Sequence, residues 1–124
     1  MVVDEIKSML QNYFDVLQTQ EMAKFDKVFY PKCILYSAQD GVIVARTFDE
    51  YRAMVQGRKS PQSLGSPRSD EVLMIDVIST EMALAKVRLR LFDNIMVDYL
   101  NLMKIDGQWM VVAKHFHRAE PVKS

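Results

Sequence analysis

The stretch that decides the fold runs from Glu71 to His117 and reads EVLMIDVISTEMALAKVRLRLFDNIMVDYLNLMKIDGQWMVVAKHFH. It consists of four apolar segments separated by short polar breaks, which is the pattern of consecutive strands. In the second segment, apolar and charged side chains alternate from Lys86 to Leu91, as expected of a strand with one face in water. Asp106-Gly107 is a strong hairpin signal between the last two segments. We therefore predict an antiparallel meander.

The first half of the chain predicts three helices. Apolar residues recur at steps of three and four over residues 3–18, which indicates an amphipathic first helix. A shorter second helix begins near Met22 and is predicted to end at Pro31, because the residue before a proline avoids the helical region. Thr47 has the character of an N-cap, with acidic residues following it, and predicts a third helix that ends near Arg58.

Two further segments lie between these elements. The apolar runs Cys33–Ala38 and Val42–Ala45 flank the turn residues Gln39, Asp40 and Gly41, so a short hairpin is predicted there. Residues 59–69, KSPQSLGSPRS, are rich in proline and serine and form a loop. A loop of this length can be a lid over a site or a plain mobile connector, and both interpretations stay open.

Length and composition favour one soluble domain over residues 1–124. Half of the chain is hydrophobic (49%), which is enough to build a core at this length, and 16 basic residues balance 16 acidic ones. We expect neither nucleic acid nor a membrane surface as a partner, because no net charge would attract the chain to them. The single Cys33 gives no internal disulfide. No secretion signal is recognisable at the start, so a cytoplasmic location is expected.

Three helices and a meander can bury their apolar faces together if the helices pack into the concave side of a curled sheet. The predicted fold class is therefore α+β, a cone-shaped curved antiparallel sheet that is covered by helices from the first half of the chain. Such a cone encloses a cavity with one open end.

The chain resembles the nuclear transport factor 2-like superfamily of α+β cones, and within it the putative lumazine-binding and SnoaL-like groups. The matching segments cover nearly the whole sequence. They are Tyr13-Phe14, Phe29-Tyr30-Pro31, Cys33–Tyr36, Phe48–Tyr51, Arg58 with Ser60-Pro61, Asp98–Lys104, Asp106–Trp109, Lys114 and Phe116. The resemblance implies a homodimer and a small-molecule ligand. The superfamily includes isomerases, dehydratases, cyclases and non-catalytic domains, so the resemblance alone does not fix the chemistry.

Candidate catalytic residues are Asp98 and His115. If Asp106-Gly107 form a two-residue turn, counting back along both strands brings Asp98 opposite His115, and a carboxylate beside an imidazole is suited to proton transfer. If the loop has three residues and a bulge, Asp98 instead lies opposite Lys114, and His115 shares a face with Tyr99. The two registers stay open.

Other polar and aromatic side chains are candidates for ligand binding. A tyrosine combines an apolar ring with a hydroxyl that needs a partner when it is buried, and an arginine can hold an anion. The candidates are Tyr13, Tyr36, Tyr51, Arg46, Arg58, Tyr99, Trp109 and His117. His115 and His117 have the spacing of a shared metal site, but no third ligand is evident, so neither a metal nor a cofactor is predicted.

Three functions follow from these features. The first is a homodimeric cone that binds a small, largely apolar or planar molecule. The second is an enzyme of the ketosteroid isomerase or dehydratase kind, in which Asp98 or His115 moves a proton and a tyrosine stabilises the enolate. The third is a non-catalytic assembly domain with a vestigial cavity.

Overall fold

A computed structural model describes residues 1–122 of the chain. Three helices and six strands follow one another in an α+β order. They are α1 (Val2–Thr19), α2 (Met22–Val28), β1 (Phe29–Gln39), β2 (Val42–Thr47), α3 (Phe48–Gly57), β3 (Asp70–Val77), β4 (Met82–Leu91), β5 (Asn94–Ile105) and β6 (Gln108–Pro121). The predicted fold class is confirmed.

The helices form where the apolar periodicity predicts them. The apolar stripe of α1 is buried along its whole length, from Ile6 to Leu17. Helix α3 begins with a complete capping box, in which the Thr47 side chain accepts from the Glu50 backbone N–H and the Glu50 side chain accepts from the Thr47 backbone N–H. Helix α2 ends earlier than predicted, at Val28.

Pro31 lies inside strand β1 and does not end the preceding helix directly. The pairing of β1 with β6 shifts register between Phe29 and Ile34, so the proline falls in an irregular stretch of the ladder. A proline has no N–H to donate, and such a stretch is where a strand tolerates one. The extended chain therefore begins at Phe29, two residues before the proline.

The six strands form one mixed sheet in the order β2-β1-β6-β5-β4-β3. The predicted meander from β3 to β6 is antiparallel throughout. The sheet is larger than the stretch from Glu71 to His117, because the hairpin of β1 and β2 joins it through a parallel pairing of β1 with β6. The prediction of a purely antiparallel sheet is corrected at this one pairing.

Two of the hairpins turn on Asp-Gly pairs with positive φ at both residues. The values are 52° and 78° at Asp40-Gly41, and 51° and 81° at Asp106-Gly107. This is the type I′ geometry whose twist matches that of the flanking strands. Asp106-Gly107 is thus a two-residue turn, with Ile105 paired to Gln108.

A bulge changes the register of β5 and β6 beyond this turn. Leu102 pairs with Val111, but the next pair is Asn101 with Ala113, which leaves Val112 as an extra residue on β6. One extra residue reverses the faces of all later side chains on that strand. Lys114, Phe116 and Arg118 consequently lie on the concave face, before a second register shift near Ala119 restores the earlier alternation.

The helices pack against the concave face of the sheet, and the core lies between them. Its centre is a group of aromatic rings, in which Phe29 contacts Tyr13, Phe25 and Tyr51 at centroid distances of 5.9, 4.6 and 5.6 Å. Loop 59–69 is tied to the end of α1 by a hydrogen bond from the Gln62 backbone N–H to the Gln18 carbonyl (3.0 Å). The loop is therefore anchored to a helix.

Candidate functional site

A cavity of about 470 Å³ lies on the concave side of the sheet. Strand residues Leu35, Met96 and Phe116 form part of its wall, and Tyr51 and Met54 from α3 form another part. Asp98 and Lys114 also border it. No residue of loop 59–69 does, so the structure gives no support to a lid there.

The polar group beside the cavity centres on Asp98, which is only 2% exposed. Its Oδ2 accepts a hydrogen bond from the Tyr13 hydroxyl (3.0 Å) and lies 3.7 Å from the Lys114 Nζ. Its other oxygen, Oδ1, is buried and accepts no hydrogen bond of ordinary geometry from the described residues. The two oxygens of Asp98 are therefore held unequally, the Oδ2 more firmly than the Oδ1.

Burial raises the pKa of the Asp98 carboxyl, although the Lys114 ammonium, the Tyr13 hydroxyl and the His117 backbone oppose the rise. Burial and the neighbouring Asp98 raise the pKa of the Tyr13 hydroxyl well above its ordinary range. Tyr13 consequently keeps its proton at neutral pH and serves as a donor to Asp98.

Lys114 is the second buried charge, with 4% of its surface exposed. Its Nζ lies 5.1 Å from the centre of the Tyr13 ring and 5.4 Å from that of Tyr51. Two ring faces and one carboxylate can together replace much of the water that an ammonium loses on burial. Cys33 belongs to the same region, and burial raises the pKa of its thiol to about 11.

Three arginines also line the cavity, namely Arg46, Arg58 and Arg118. None of them forms an ion pair with a carboxylate within residues 1–122. Arg58 is the most firmly held, because its Nε donates to the Gln20 Oε1 (2.7 Å) and its guanidinium lies 5.3 Å from the centre of the Phe92 ring. One of its terminal nitrogens is buried and has no hydrogen-bond partner among the described residues.

The structure separates the predicted site residues into three groups: those at the cavity, those on the outer face of the sheet, and Trp109. Asp98, Tyr51 and Arg58 border the cavity, and Tyr13 lies directly behind Asp98. Tyr36, Tyr99, His115 and His117 lie on the outer face, around a second hollow of about 310 Å³. Trp109 does not border either space, since it is buried beside Glu5 of α1.

The structure does not bring Asp98 and His115 together. Asp98 pairs with Phe116, whereas His115 pairs with Tyr99 and points to the outer face. The two-residue turn, one of the two alternatives, is present, but the bulge at Val112 shifts the pairing by one residue before it reaches Asp98. Neither of the two registers considered from the sequence includes this combination.

Sequence reasoning placed Lys114 opposite Asp98 in one of its two registers but did not name it as a site residue, and it missed Phe92 altogether. A lysine within an apolar strand segment could have indicated a buried ion pair with Asp98. The unusual feature of Phe92 is its backbone conformation. Its φ of 55° belongs to a region that large side chains avoid, and no sequence pattern predicts this conformation.

Residues 1–122 contain no group of three or more His, Cys, Asp or Glu side chains that could hold a metal ion. No helix in the described part of the chain is long and apolar enough to cross a membrane.

A helix-covered curved sheet with a cavity on its concave side defines the class of nuclear transport factor 2-like proteins. A protein of this class and of unknown function from Shewanella baltica superposes with a TM-score of 0.82 at 17% identity, covering 95% of this chain and 94% of that one. A ketosteroid isomerase-like protein from Erwinia carotovora atroseptica superposes with a TM-score of 0.73 at 10% identity, over 95% and 96% of the two chains. At these identities the likeness concerns the fold alone.

The family is established by sequence. Residues 2–117 match the family described as "Putative lumazine-binding", and the chain belongs to that family. A protein of the DUF3225 family from Pectobacterium atrosepticum, also of unknown function, is 22% identical and superposes with a TM-score of 0.74 over 96% of this chain and 91% of that one. None of the curated proteins matches the chain significantly. Family and fold together support a ligand-binding domain.

Proposed function

We propose that the chain binds a small, largely apolar or planar molecule in the cavity on the concave face of the sheet. The observation that carries this proposal is an open cavity of about 470 Å³ with apolar walls and a few convergent polar groups. Ligand sites of proteins have volumes of roughly 300–1,000 Å³ and the same mixture of apolar lining and fixed polar groups. The rings of Tyr51 and Phe116 offer flat surfaces to a planar ligand.

A thermal-shift screen with lumazine, other planar heterocycles and steroids tests this proposal. A ligand that binds only the folded state raises the melting temperature as its concentration exceeds the dissociation constant. Met96→Trp fills the cavity and is expected to abolish the shift. Met103→Trp is the matched control, since Met103 is on the outer face and 38% exposed, and the shift should persist. A shift that survives Met96→Trp would contradict the proposed site.

A second function, proton transfer, is favoured by the carboxyl group that Asp98 places at the cavity wall. In an isomerisation of a β,γ-unsaturated ketone, Asp98 would take a proton from the carbon between the carbonyl and the double bond and return it to the far alkene carbon. The raised pKa of the Asp98 carboxyl suits a base that must also give the proton back. Among the tyrosines considered for stabilising the enolate, Tyr13 is not free for that role, because its hydroxyl donates to Asp98.

Absorbance of the conjugated product follows this reaction directly. Wild-type protein should accelerate the isomerisation over buffer, and Asp98→Asn should remove the acceleration while a conjugated ketone still binds. Asp93→Asn is the control, since Asp93 is an exposed carboxylate in the turn before β5. A wild-type rate equal to that in buffer would eliminate this second function for the ketones tested.

The outer face is the proposed contact between two copies of the chain. Tyr36 and Tyr99 are 41% and 42% exposed there, and Met82 and Met103 add exposed apolar surface. Light scattering should give the mass of a dimer, and Tyr99→Glu should give a monomer because it places charge in the contact. Leu64→Glu, in loop 59–69, should leave the mass unchanged, because Leu64 is exposed but does not lie on the sheet. A monomeric wild type would refute the dimer.

The assembly-domain hypothesis has less support than the other two. It requires a cavity that is filled by side chains, whereas the cavity of this chain is open.

A further inference from the structure

The cavity carries more positive charge than its own carboxylates can neutralise. Four cationic side chains border it, and Asp98 and Asp40 are the acidic ones. Lys114 is already paired with Asp98. This leaves Arg46, Arg58 and Arg118 facing one acidic residue, Asp40, with which none of them forms an ion pair. The chain as a whole has a net charge of zero, so this excess is local to the cavity.

Arg58 is held in place before any ligand arrives. The Gln20 side chain accepts from the Arg58 Nε (2.7 Å) and donates its own amide to the Val55 and Arg58 carbonyls (2.9 and 2.8 Å). Every polar atom of that amide is therefore used, which fixes the position of the oxygen that orients the guanidinium. A fixed guanidinium loses less conformational entropy when it binds a carboxylate or sulfonate.

Phe92 covers Arg58 at a cost in backbone energy. Leu91 pairs with Asn94, so Phe92 and Asp93 form a two-residue turn, and φ is positive only at Phe92. Glycine is the ordinary residue at such a position, and a large side chain there is strained. The strained conformation places the Phe92 ring against the guanidinium and in the cavity wall. An arginine that is packed on a ring face keeps its edge nitrogens for an acidic group.

We infer that the cavity takes a small organic acid, with its flat or apolar body against the aromatic and methionine side chains and its carboxylate or sulfonate on Arg58. Arg46 and Arg118 add to the positive potential around that group. This inference rests on the proposed function, because it names the chemical class of the ligand for the same cavity. It predicts that the anionic member of a matched ligand pair binds more tightly than the neutral one.

Two fluorescent probes form such a pair. Anilinonaphthalene sulfonate and phenylnaphthylamine share their aromatic body and differ in the sulfonate group, and both brighten in apolar sites. Wild-type protein should bind the sulfonate about tenfold more tightly or better, the effect of a charge-assisted hydrogen bond to a fixed arginine. The preference should shrink as salt is added.

Variants separate the role of Arg58 from general attraction of an anion. Arg58→Gln should remove most of the preference while affinity for the neutral probe stays within about twofold, and Arg58→Lys should keep part of it because the charge remains. Arg88→Gln is the matched control, because Arg88 is an exposed arginine of β4 that borders neither the cavity nor the outer hollow. Near-ultraviolet circular dichroism reports whether each variant is folded, and Arg46→Gln replaces Arg58→Gln if the latter is not.

The outcomes distinguish this inference from the proposed function. Equal affinity of wild type for both probes, or a preference that Arg58→Gln leaves unchanged, would overturn the organic-acid inference while the cavity remains a binding site. Failure of both probes to bind at all would overturn the binding function and the inference with it.

Discussion

Asp98 and Lys114 form an ion pair that is almost completely removed from water, at 2% and 4% exposure. A buried ion pair is weak support for stability, because the desolvation of both charges offsets their attraction. Removal of one partner is a different matter, since it leaves the other charge buried and uncompensated. The pair is better understood as a polar group that the fold holds beside the cavity.

A double-mutant cycle tests this interpretation. Asp98→Asn and Lys114→Met should each lower the free energy of unfolding by about 3–5 kcal/mol, because each leaves a lone buried charge or a broken network. The double variant should lose much less than the sum of the two. Urea denaturation provides the three differences, and additive losses would mean that the two charges do not interact.

The raised pKa of the Asp98 carboxyl predicts a pH dependence of stability. Between the unfolded pKa of about 3.8 and the higher folded pKa, the folded state binds more protons than the unfolded state. The contribution of Asp98 to the free energy of unfolding therefore falls as pH rises through this window. Asp98→Asn should abolish that fall, whereas Asp93→Asn should preserve it. An identical pH profile for wild type and Asp98→Asn would contradict the prediction.

The reactivity of the Cys33 thiol tests whether this side chain is inaccessible to solvent in the folded protein. Its thiol is fully buried and has a pKa of about 11, so almost no thiolate exists at neutral pH. Iodoacetamide should leave the folded protein unmodified and should alkylate the thiol at an ordinary rate in urea. Mass spectrometry measures both rates, and fast labelling without denaturant would show that Cys33 is accessible.

Among the elements, the hairpins depend on their turn residues. Gly107 has a φ of 81°, and the space that a β-carbon would occupy there is open, so a side chain at this position meets backbone strain alone. Gly107→Ala should lower the free energy of unfolding by about 1–2 kcal/mol. Gly57→Ala is the control, because Gly57 ends a helix with ordinary φ and space around it, and this change should be neutral or stabilising. Equal effects of the two substitutions would argue against the type I′ turn.

The bulge at Val112 is the element that separates the predicted site from the observed one. Without it, the pairing of Leu102 with Val111 would continue to Asp98 and His115. The sequence from Val111 to Lys114 contains no glycine, proline or other signal of a bulge, so strand periodicity could not reveal it. The turn at Asp106-Gly107, in contrast, could be predicted, because only a few residue types tolerate positive φ at both positions of a turn.

For the whole molecule, the sequence was sufficient for the fold class and for most elements, and insufficient for one strand pairing and for the site. Helical stripes, the N-cap residue Thr47 and strand alternation are local patterns, and each predicted its element. The parallel pairing of β1 with β6 and the position of Phe92 against Arg58 depend on contacts between distant residues. Such contacts are determined by the packing of the entire domain and leave no periodic trace in one sequence.

The location of a bound ligand tests the central claim most directly. Methyl NMR of methionine-labelled protein separates the two faces of the sheet, since Met54 and Met96 border the cavity whereas Met82 and Met103 pair with each other on the outer face. Addition of anilinonaphthalene sulfonate should shift the signals of Met54 and Met96 and leave those of Met82 and Met103 in place. Shifts confined to Met82 and Met103 would contradict a binding site in the cavity.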